Sequence, residues 1–428
     1  MPIIRKSEKR DYIWNTIGVL SQTATSPILL VLVSRFHGEE GLNIFSYLFA
    51  LSLILWAINL WGGRTFQVSD IQEEFTVSGY LAVRLILAAV VLLIALGIGF
   101  IEGFPLETIF LLLLLTFLKV VEAVADTFFG ILQSHEILFM AGKSLFYKAV
   151  LGIALFAIVD FYFRNLLFAT IAIIFVNIVF LLFYDFRIAR NLVKYQLSRL
   201  ISYLSESTTI LRTTWQIAVI SIVANITLNI PRIVLAQYHE HTLGRFGAIA
   251  LAVTATSLVI TFVIQPKILS ISAQFVAKEY KQFCQSVLYI FRLFAILGFV
   301  VLVVASLVGI PLLTFIFGLD FTGEHLPLII IVLGGILNAI VLLFFNIFII
   351  MRQTILFLWM LILTNLILIL ISIWLVSSYS ILGATIAYAI CTLIQSILSA
   401  VMYKRKIYII RKMSNLNRRN TTRRPLHE

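Results

Sequence analysis

Apolar stretches long enough to cross a bilayer follow one another along almost all of this 428-residue chain. A transmembrane helix needs about 20 mostly apolar residues to traverse roughly 30 Å of hydrocarbon. Twelve such stretches can be read, near 12–34, 42–62, 79–101, 106–131, 145–160, 165–184, 213–237, 244–266, 285–309, 326–350, 355–376 and 381–403. The fifth is short and the first is polar. With 61% of residues hydrophobic, 12% charged and a mean hydropathy of +1.05, a soluble globular protein is excluded. The fold class expected is all-α and integral to the membrane.

The charges choose an orientation. With both termini in the cytosol, the inner segments hold Arg5, Lys6, Lys9, Arg10, Arg64, Lys143, Arg187, Arg190, Lys194, Arg199, Arg212, Lys267, Lys278, Lys281 and Arg352. Outer segments then hold Arg35, Arg164 and Arg245 alone. That asymmetry follows the positive-inside rule and accounts for most of the net charge of +12 without nucleic acid as a partner. The basic tail, 404–428, points to anionic membrane lipids. No small-residue cleavage site precedes the first span, which is therefore expected to be retained. Cys284 and Cys391 show no pairing or metal-binding pattern.

A polar segment at 185–212 divides the chain into an N-terminal lobe, 1–184, and a C-terminal lobe, 213–403, of six spans each. Its Asp185, Arg187, Arg190, Lys194 and Arg199 suggest a basic amphipathic stretch lying on the cytosolic surface. Sliding the second half back by 201 residues superposes Trp14 on Trp215, Asn15 on Gln216, Glu39 on Glu240, Leu42 on Leu243 and Phe45 on Phe246. With six spans per half, such a repeat is parallel, related by an axis along the membrane normal.

Six ionisable residues stand out inside the spans: Arg84, Lys119, Glu122, Asp126, Arg232 and Arg292. Each costs roughly 2.5–3.5 kcal/mol at a helix centre, so such residues normally face an interior. Lys119, Glu122 and Asp126 stand at i, i+3 and i+7 and so share one helix face. Either Lys119 and Glu122 form a structural pair, or Lys119 binds an anion while Glu122 or Asp126 takes up a proton or sodium ion. The seventh span carries Asn225, Thr227, Asn229, Pro231 and Arg232. Pro231 suggests a hinge, and a guanidinium suits phosphate because its planar fork donates two parallel hydrogen bonds. Arg232 either lines a polar path or snorkels to the outer head groups. Arg84, Lys148 and Arg292 lie one or two turns from cytosolic ends, where they either snorkel or ring an inner vestibule. The first span, with Ser21, Gln22, Thr23, Thr25 and Ser26 ahead of Pro27, is expected to face a cavity or a helix interface and to bend at that proline. Asn177, Asn346, Asn365 and Gln395 read as helix–helix hydrogen bonding.

Nothing reads as an enzyme. P-loop, GxSxG and HExxH patterns are absent, and His239 and His241, flanking Glu240 in an outer turn, are a weak pointer to a metal.

Gly62-Gly-Arg64-Thr-Phe-Gln-Val-Ser-Asp70-Ile-Gln-Glu-Glu74 after the second span and Phe129-Gly130-Ile-Leu-Gln133 at the end of the fourth carry a family likeness. Ile230-Pro231-Arg232, Leu243-Gly244 and Leu382-Gly383-Ala384 add to it. In these, and over most of its length, the chain resembles the bacterial O-antigen and capsule translocases, flippases within the superfamily that includes the multidrug exporters. The resemblance implies two six-helix lobes facing each other in a V, alternating access, and an undecaprenyl-diphosphate-linked oligosaccharide as cargo. It implies the bacterial cytoplasmic membrane, polymerase and glycosyltransferases of the same pathway as partners, and proton or sodium coupling without another cofactor. On that reading Lys119, Arg232, Arg84 and Arg292 make a cationic cavity for the diphosphate. The alternatives are an ion-coupled multidrug exporter, for which an acidic cavity is expected, and a membrane glycosyltransferase (polymerase or ligase), for which the outer loops are too short.

Overall fold

The computed structural model describes residues 2–70, 74–192, 204–351 and 353–421, with every side chain in them except those of 2–9, 65, 69, 204–205, 257–269 and 411–421. All regular structure among these residues is helical. In chain order the helices are α1 (2–37), α2 (39–60), α3 (Gly63–Ser69), α4 (Val77–Ile101), α5 (Leu106–Ser134), α6 (Leu138–Phe163), α7 (Leu166–Leu192), α8 (Leu204–Tyr238), α9 (Leu243–Val276), α10 (Tyr280–Phe317), α11 (His325–Ile350), α12 (354–379) and α13 (381–421). Hydrocarbon offers no water to backbone groups, so each apolar stretch closes its own hydrogen bonds.

Nine helices among the described residues are long and apolar enough to span a membrane. Two of them, Arg10–Leu60 and Thr354–Ile410, are each a pair of spans joined at a single residue. The breaks fall at Gly38 (φ 67°, ψ −158°) and Ser380 (φ 50°, ψ −128°). Glycine meets no Cβ penalty at such a positive φ, so the chain reverses there at little cost. α9 runs where the eighth span was expected.

Boundaries differ from expectation mainly where cations lie inside a span. α6 begins at Leu138, not near 145, because Lys148 is buried against Asp185 and Lys143 stands over aromatic rings. α7 passes through a π-helical turn at Leu181–Asp185 and continues to Leu192. Asp185 is thus fully buried rather than part of a surface segment. Residues 193–203 of that segment, 71–73 of the motif after the second span, and the end of the tail from 422 lie outside the described residues. α10 passes a second π-helical turn at Ala305–Gly309 and ends at Phe317.

Two compact units make up the chain: Met1–Ala248 with Phe315–Leu319, and Ile249–Thr314 with Asp320–Glu428. The helix α8, assigned by the sequence to the second lobe, packs in the first unit against the α1–α2 pair and α4, with Trp61 just past α2 donating to the Leu211 carbonyl. In that unit α6 packs against the α1–α2 pair and α7, and α5 against α4, α7 and that same pair, with Lys119 over the Phe49 and Trp56 rings of α2. The polar face of α1 satisfies itself: the hydroxyls of Ser21, Thr23 and Thr25 donate to the carbonyls of Ile17, Val19 and Ser21 at 2.8, 2.8 and 3.1 Å. Such back-bonding also favours a bent helix. Pro27 and Pro231 both lie inside helices that continue through them.

In the second unit α11 packs against α12 and α13. Gln395 Nε2 donates to Thr364 Oγ1 at 2.9 Å, joining α13 to α12. Asn177, Asn346 and Asn365 instead donate to carbonyls one turn back on their own helices.

The two stretches that lie 201 residues apart meet within the first unit. Leu42, Phe45, Leu243 and Phe246 are all completely buried. Asn43 Oδ1 accepts from Gly244 N at 2.6 Å, and Asn43 Nδ2 donates to His241 O at 2.9 Å. Where one half has asparagine the other has glycine, and a Cβ on Gly244 would strike Asn43 Oδ1 and Leu42.

Candidate substrate path

Packing separates the buried charges by partner. Arg84 is 3% exposed, and its guanidinium turns inward. Nη1 donates to the carbonyls of Asn59, at 2.6 Å, and Leu60, Nε to Thr127 Oγ1 at 3.2 Å, and Nη2 to Asp126 Oδ2 at 3.2 Å. It caps the carbonyl end of α2, where a cation is favourable. A snorkelling arginine would instead leave its head exposed.

Asp126 also accepts from Arg64 Nη1 at 3.3 Å, so two guanidiniums hold it. Arg64 Nε and Nη2 in turn reach Gln133 Oε1 at 3.1 and 3.0 Å, and Gln67 Nε2 donates to Thr127 O at 3.2 Å. A Cβ on Gly130 would collide with the Gln67 side chain. The two segments that carry the family resemblance therefore dock onto each other, fastening α3 to α5.

Lys119 Nζ donates to both oxygens of Glu122 at 3.0 Å and lies 5.3 and 5.7 Å from the rings of Phe49 and Trp56. Glu122 and Lys148 face a cavity of about 30 Å³ shared with Gln22, Thr25 and Asn177. That is room for a water or a small ion. Lys148 pairs with Asp185 across α6 and α7.

Arg232 differs from all of these. It is 7% exposed, its Nε has no hydrogen-bond partner, and no ion pair reaches it among the described residues. Its guanidinium lies 5.8 Å from the Phe246 ring, and Nη2 stands 3.5 Å from where a Cβ on Gly247 would be. Arg292 is exposed on α10, as a snorkelling arginine would be.

Two acidic partners escaped the sequence reading. Asp185 sat just past the expected end of the sixth span, and Asp160 at the edge of the fifth. Asp160 is fully buried, with His37 Nε2 2.7 Å from its Oδ1. A cleft of about 840 Å³ is lined by Glu39, Glu40, Asn43, Glu240, His241 and Arg245, with Arg245 Nε 2.5 Å from Glu39 Oε1. Among the described residues no His, Cys, Asp or Glu cluster could hold a metal.

No protein-family model matches the chain, and no curated protein does. Solved structures do. An inward-facing multidrug resistance MATE family transporter of the MOP superfamily matches with a TM-score of 0.71 at 14% identity, over 94% of this chain and 99% of that one. An outward-facing structure described in the same terms gives 0.65 at 16%, over 95% and 96%. A MOP superfamily transporter from Pyrococcus furiosus Vc1 (DSM3638) gives 0.68 at 16%, over 95% and 96%. For that transporter, a binding pocket of reverse polarity has been taken to suggest a different function. The chain has the fold of a MOP-superfamily transporter. At such identities the likeness carries the fold alone. With the apolar helices it makes the chain a multi-pass membrane protein, and the matched structures are transporters.

Proposed function

We propose that this MOP-type protein moves an anionic amphiphile across the bacterial cytoplasmic membrane, and that the cargo is an undecaprenyl-diphosphate-linked oligosaccharide destined for capsule, O-antigen or exopolysaccharide. The observation that carries the reading is Arg232. Among the described buried cations, Arg84, Lys119 and Lys148 each have a carboxylate, and Arg232 has none. Burying an uncompensated guanidinium costs several kcal/mol, roughly. A diphosphate would supply the missing charge through bidentate hydrogen bonds. The isoprenoid tail can remain in lipid while the head group moves. An inside-negative potential favours outward passage of the anion by about 2.3 kcal/mol per charge per 100 mV.

Lys119 is the second cation of the path, because Glu122 is a partner that cargo can displace. Glu122, facing the small cavity in α5, is also the candidate for proton or sodium coupling. Asp126 is less suited to that role, being held by two arginines. Arg84 positions α2, and Arg292 remains a candidate for the inner vestibule. The excess of Lys and Arg in the segments assigned inside supports cytosolic termini, and the partners on this reading are polymerase and glycosyltransferases of the same pathway.

A second reading, ion-coupled multidrug export, is favoured by the likeness to the multidrug resistance transporters. Proteoliposomes distinguish the two. Translocation of a fluorescent undecaprenyl-diphosphate oligosaccharide that is lost in Arg232→Ala supports flipping. Gradient-driven uptake of cationic dyes with no movement of the lipid-linked sugar would replace it with drug export.

A further inference from the structure

The end of α1 and α6 that the charge pattern assigns to the cytosol carries a second cationic feature, separate from Arg232. Helices α1 and α6 touch backbone to backbone at Gly18 and Gly142: a Cβ on Gly18 would overlap the Gly142 carbonyl, and one on Gly142 the carbonyl of Trp14. Small residues at such a crossing allow the axes to approach closely. The approach brings Arg10 and Trp14 of α1 against Phe139 and Lys143 of α6.

Arg10 Cζ lies 3.7 Å from the centroid of the Phe139 ring, and Lys143 Nζ lies 5.7 Å from the same centroid. Lys143 Nζ is also 5.2 Å from the Trp14 ring, which meets Phe146 edge-on at 6.1 Å. Two cations thus share one aromatic ring, and neither forms an ion pair among the described residues. The nearest acid in sequence, Asp11, is already used: its Oδ1 accepts from the Phe139 backbone N at 2.7 Å. Glu136, at the turn before α6, has a positive φ of 57° and makes no ion pair with either cation among the described residues. Phe139 is buried, Lys143 half-buried and Arg10 exposed, so the feature opens at one side.

We propose that Arg10 and Lys143, on the platform of Trp14 and Phe139, bind a phosphate-bearing lipid head group at the inner membrane surface. Two like charges held together without a carboxylate are satisfied by one polyanionic group. Aromatic rings at the level of the head groups fix the depth of that contact. The phosphate can belong to a bulk anionic phospholipid or to a polyprenyl diphosphate awaiting transport. The site does not depend on what Arg232 carries.

The test is native mass spectrometry of the purified full chain in a neutral detergent, titrated separately with phosphatidylglycerol, a polyprenyl diphosphate, inorganic diphosphate and diacylglycerol. Wild type should take up one phosphate-bearing lipid saturably and no diacylglycerol. Arg10→Gln with Lys143→Gln should weaken that binding about thirtyfold. Arg10→Lys with Lys143→Arg should keep it to within a few-fold, which separates lost charge from lost folding. Equal affinity for both lipids makes the source the bulk membrane, preference for the polyprenyl diphosphate makes it a docking site for cargo, and equal binding of inorganic diphosphate makes it a free-phosphate site. Unchanged binding in the glutamine pair, non-saturable uptake, or equal loss in the charge-keeping pair overturns the proposal.

Discussion

Replacing Arg232 by methionine separates what this residue costs from what it does. In wild type the guanidinium is 7% exposed with its Nε unpaired, and the attraction that offsets this is the Phe246 ring at 5.8 Å. A cation over an aromatic face returns about 0.5–2 kcal/mol, whereas the effective penalty of an uncompensated buried ion is several kcal/mol. Methionine keeps much of the reach and removes the charge, so the variant should be more stable by about 2 kcal/mol. With roughly 2.1 cal/mol/K per residue, complete unfolding of the 428-residue chain has an entropy of about 0.9 kcal/mol/K, giving a rise of about 2 °C. Helices that persist in detergent lower that entropy, so the observed rise should be larger. The assay is the unfolding midpoint of purified protein by intrinsic fluorescence, paired with translocation of lipid-linked oligosaccharide in proteoliposomes. The expected pair of results is a higher midpoint and lost transport. Arg84→Met is the control of opposite sign. It strands the Asn59 and Leu60 carbonyls and removes one of the two guanidiniums on Asp126, so it should destabilise by about 3–5 kcal/mol. A lower midpoint in Arg232→Met would mean that a counter-charge is present, and transport at the wild-type rate would remove Arg232 from the path.

Further outcomes follow from the same contacts. Arg64→Gln and Asp126→Asn, combined in a double-mutant cycle, should show a coupling of about 0.5–3 kcal/mol in the unfolding midpoint, and additive effects would mean that the 3.3 Å pair contributes nothing. Gly142→Val places a branched side chain on the Trp14 carbonyl and should destabilise by roughly 1–3 kcal/mol, with a wild-type midpoint arguing against the close crossing of α1 and α6. Asn43→Ala leaves the Gly244 N–H and the His241 carbonyl without their partner, at about 1–3 kcal/mol in the same measurement. Glu122→Gln should slow transport driven by a proton or sodium gradient; rates equal to wild type would end its coupling role.

Hydropathy reads position along a helix, and that is why so much of the fold was legible. All twelve expected stretches fall on helices, and the reversals at Gly38 and Ser380 lie within the connections left for them. Leu42, Phe45, Leu243 and Phe246, singled out by their 201-residue spacing, are all buried. Partner choice was not legible. Whether Lys148 meets Asp185, or Arg84 meets Asp126, depends on which helices cross and at what height, and neither follows from spacing within one segment. Position misled most at span edges: Asp185, read as part of a surface segment, is fully buried beside Lys148, and Asp160, at the edge of the fifth span, is fully buried beside His37.

For an anion path the relevant quantity is therefore uncompensated charge, not the number of buried cations. An interior that reads as mostly positive in the sequence is, once paired, close to neutral around α4, α5, α6 and α7. The positive remainder gathers at Arg232. Fold likeness to multidrug resistance transporters leans toward drug export, but a scaffold fixes helices and leaves the polarity of its lining to individual side chains. The choice rests on one guanidinium between α8 and α9. A cationic drug would meet there the same charge and pay for burial twice, whereas a diphosphate would remove the penalty on binding and restore it on release. A group that is costly when empty and satisfied when occupied favours the loaded state by its differential interaction with cargo, the condition any ligand-driven conformational change must meet.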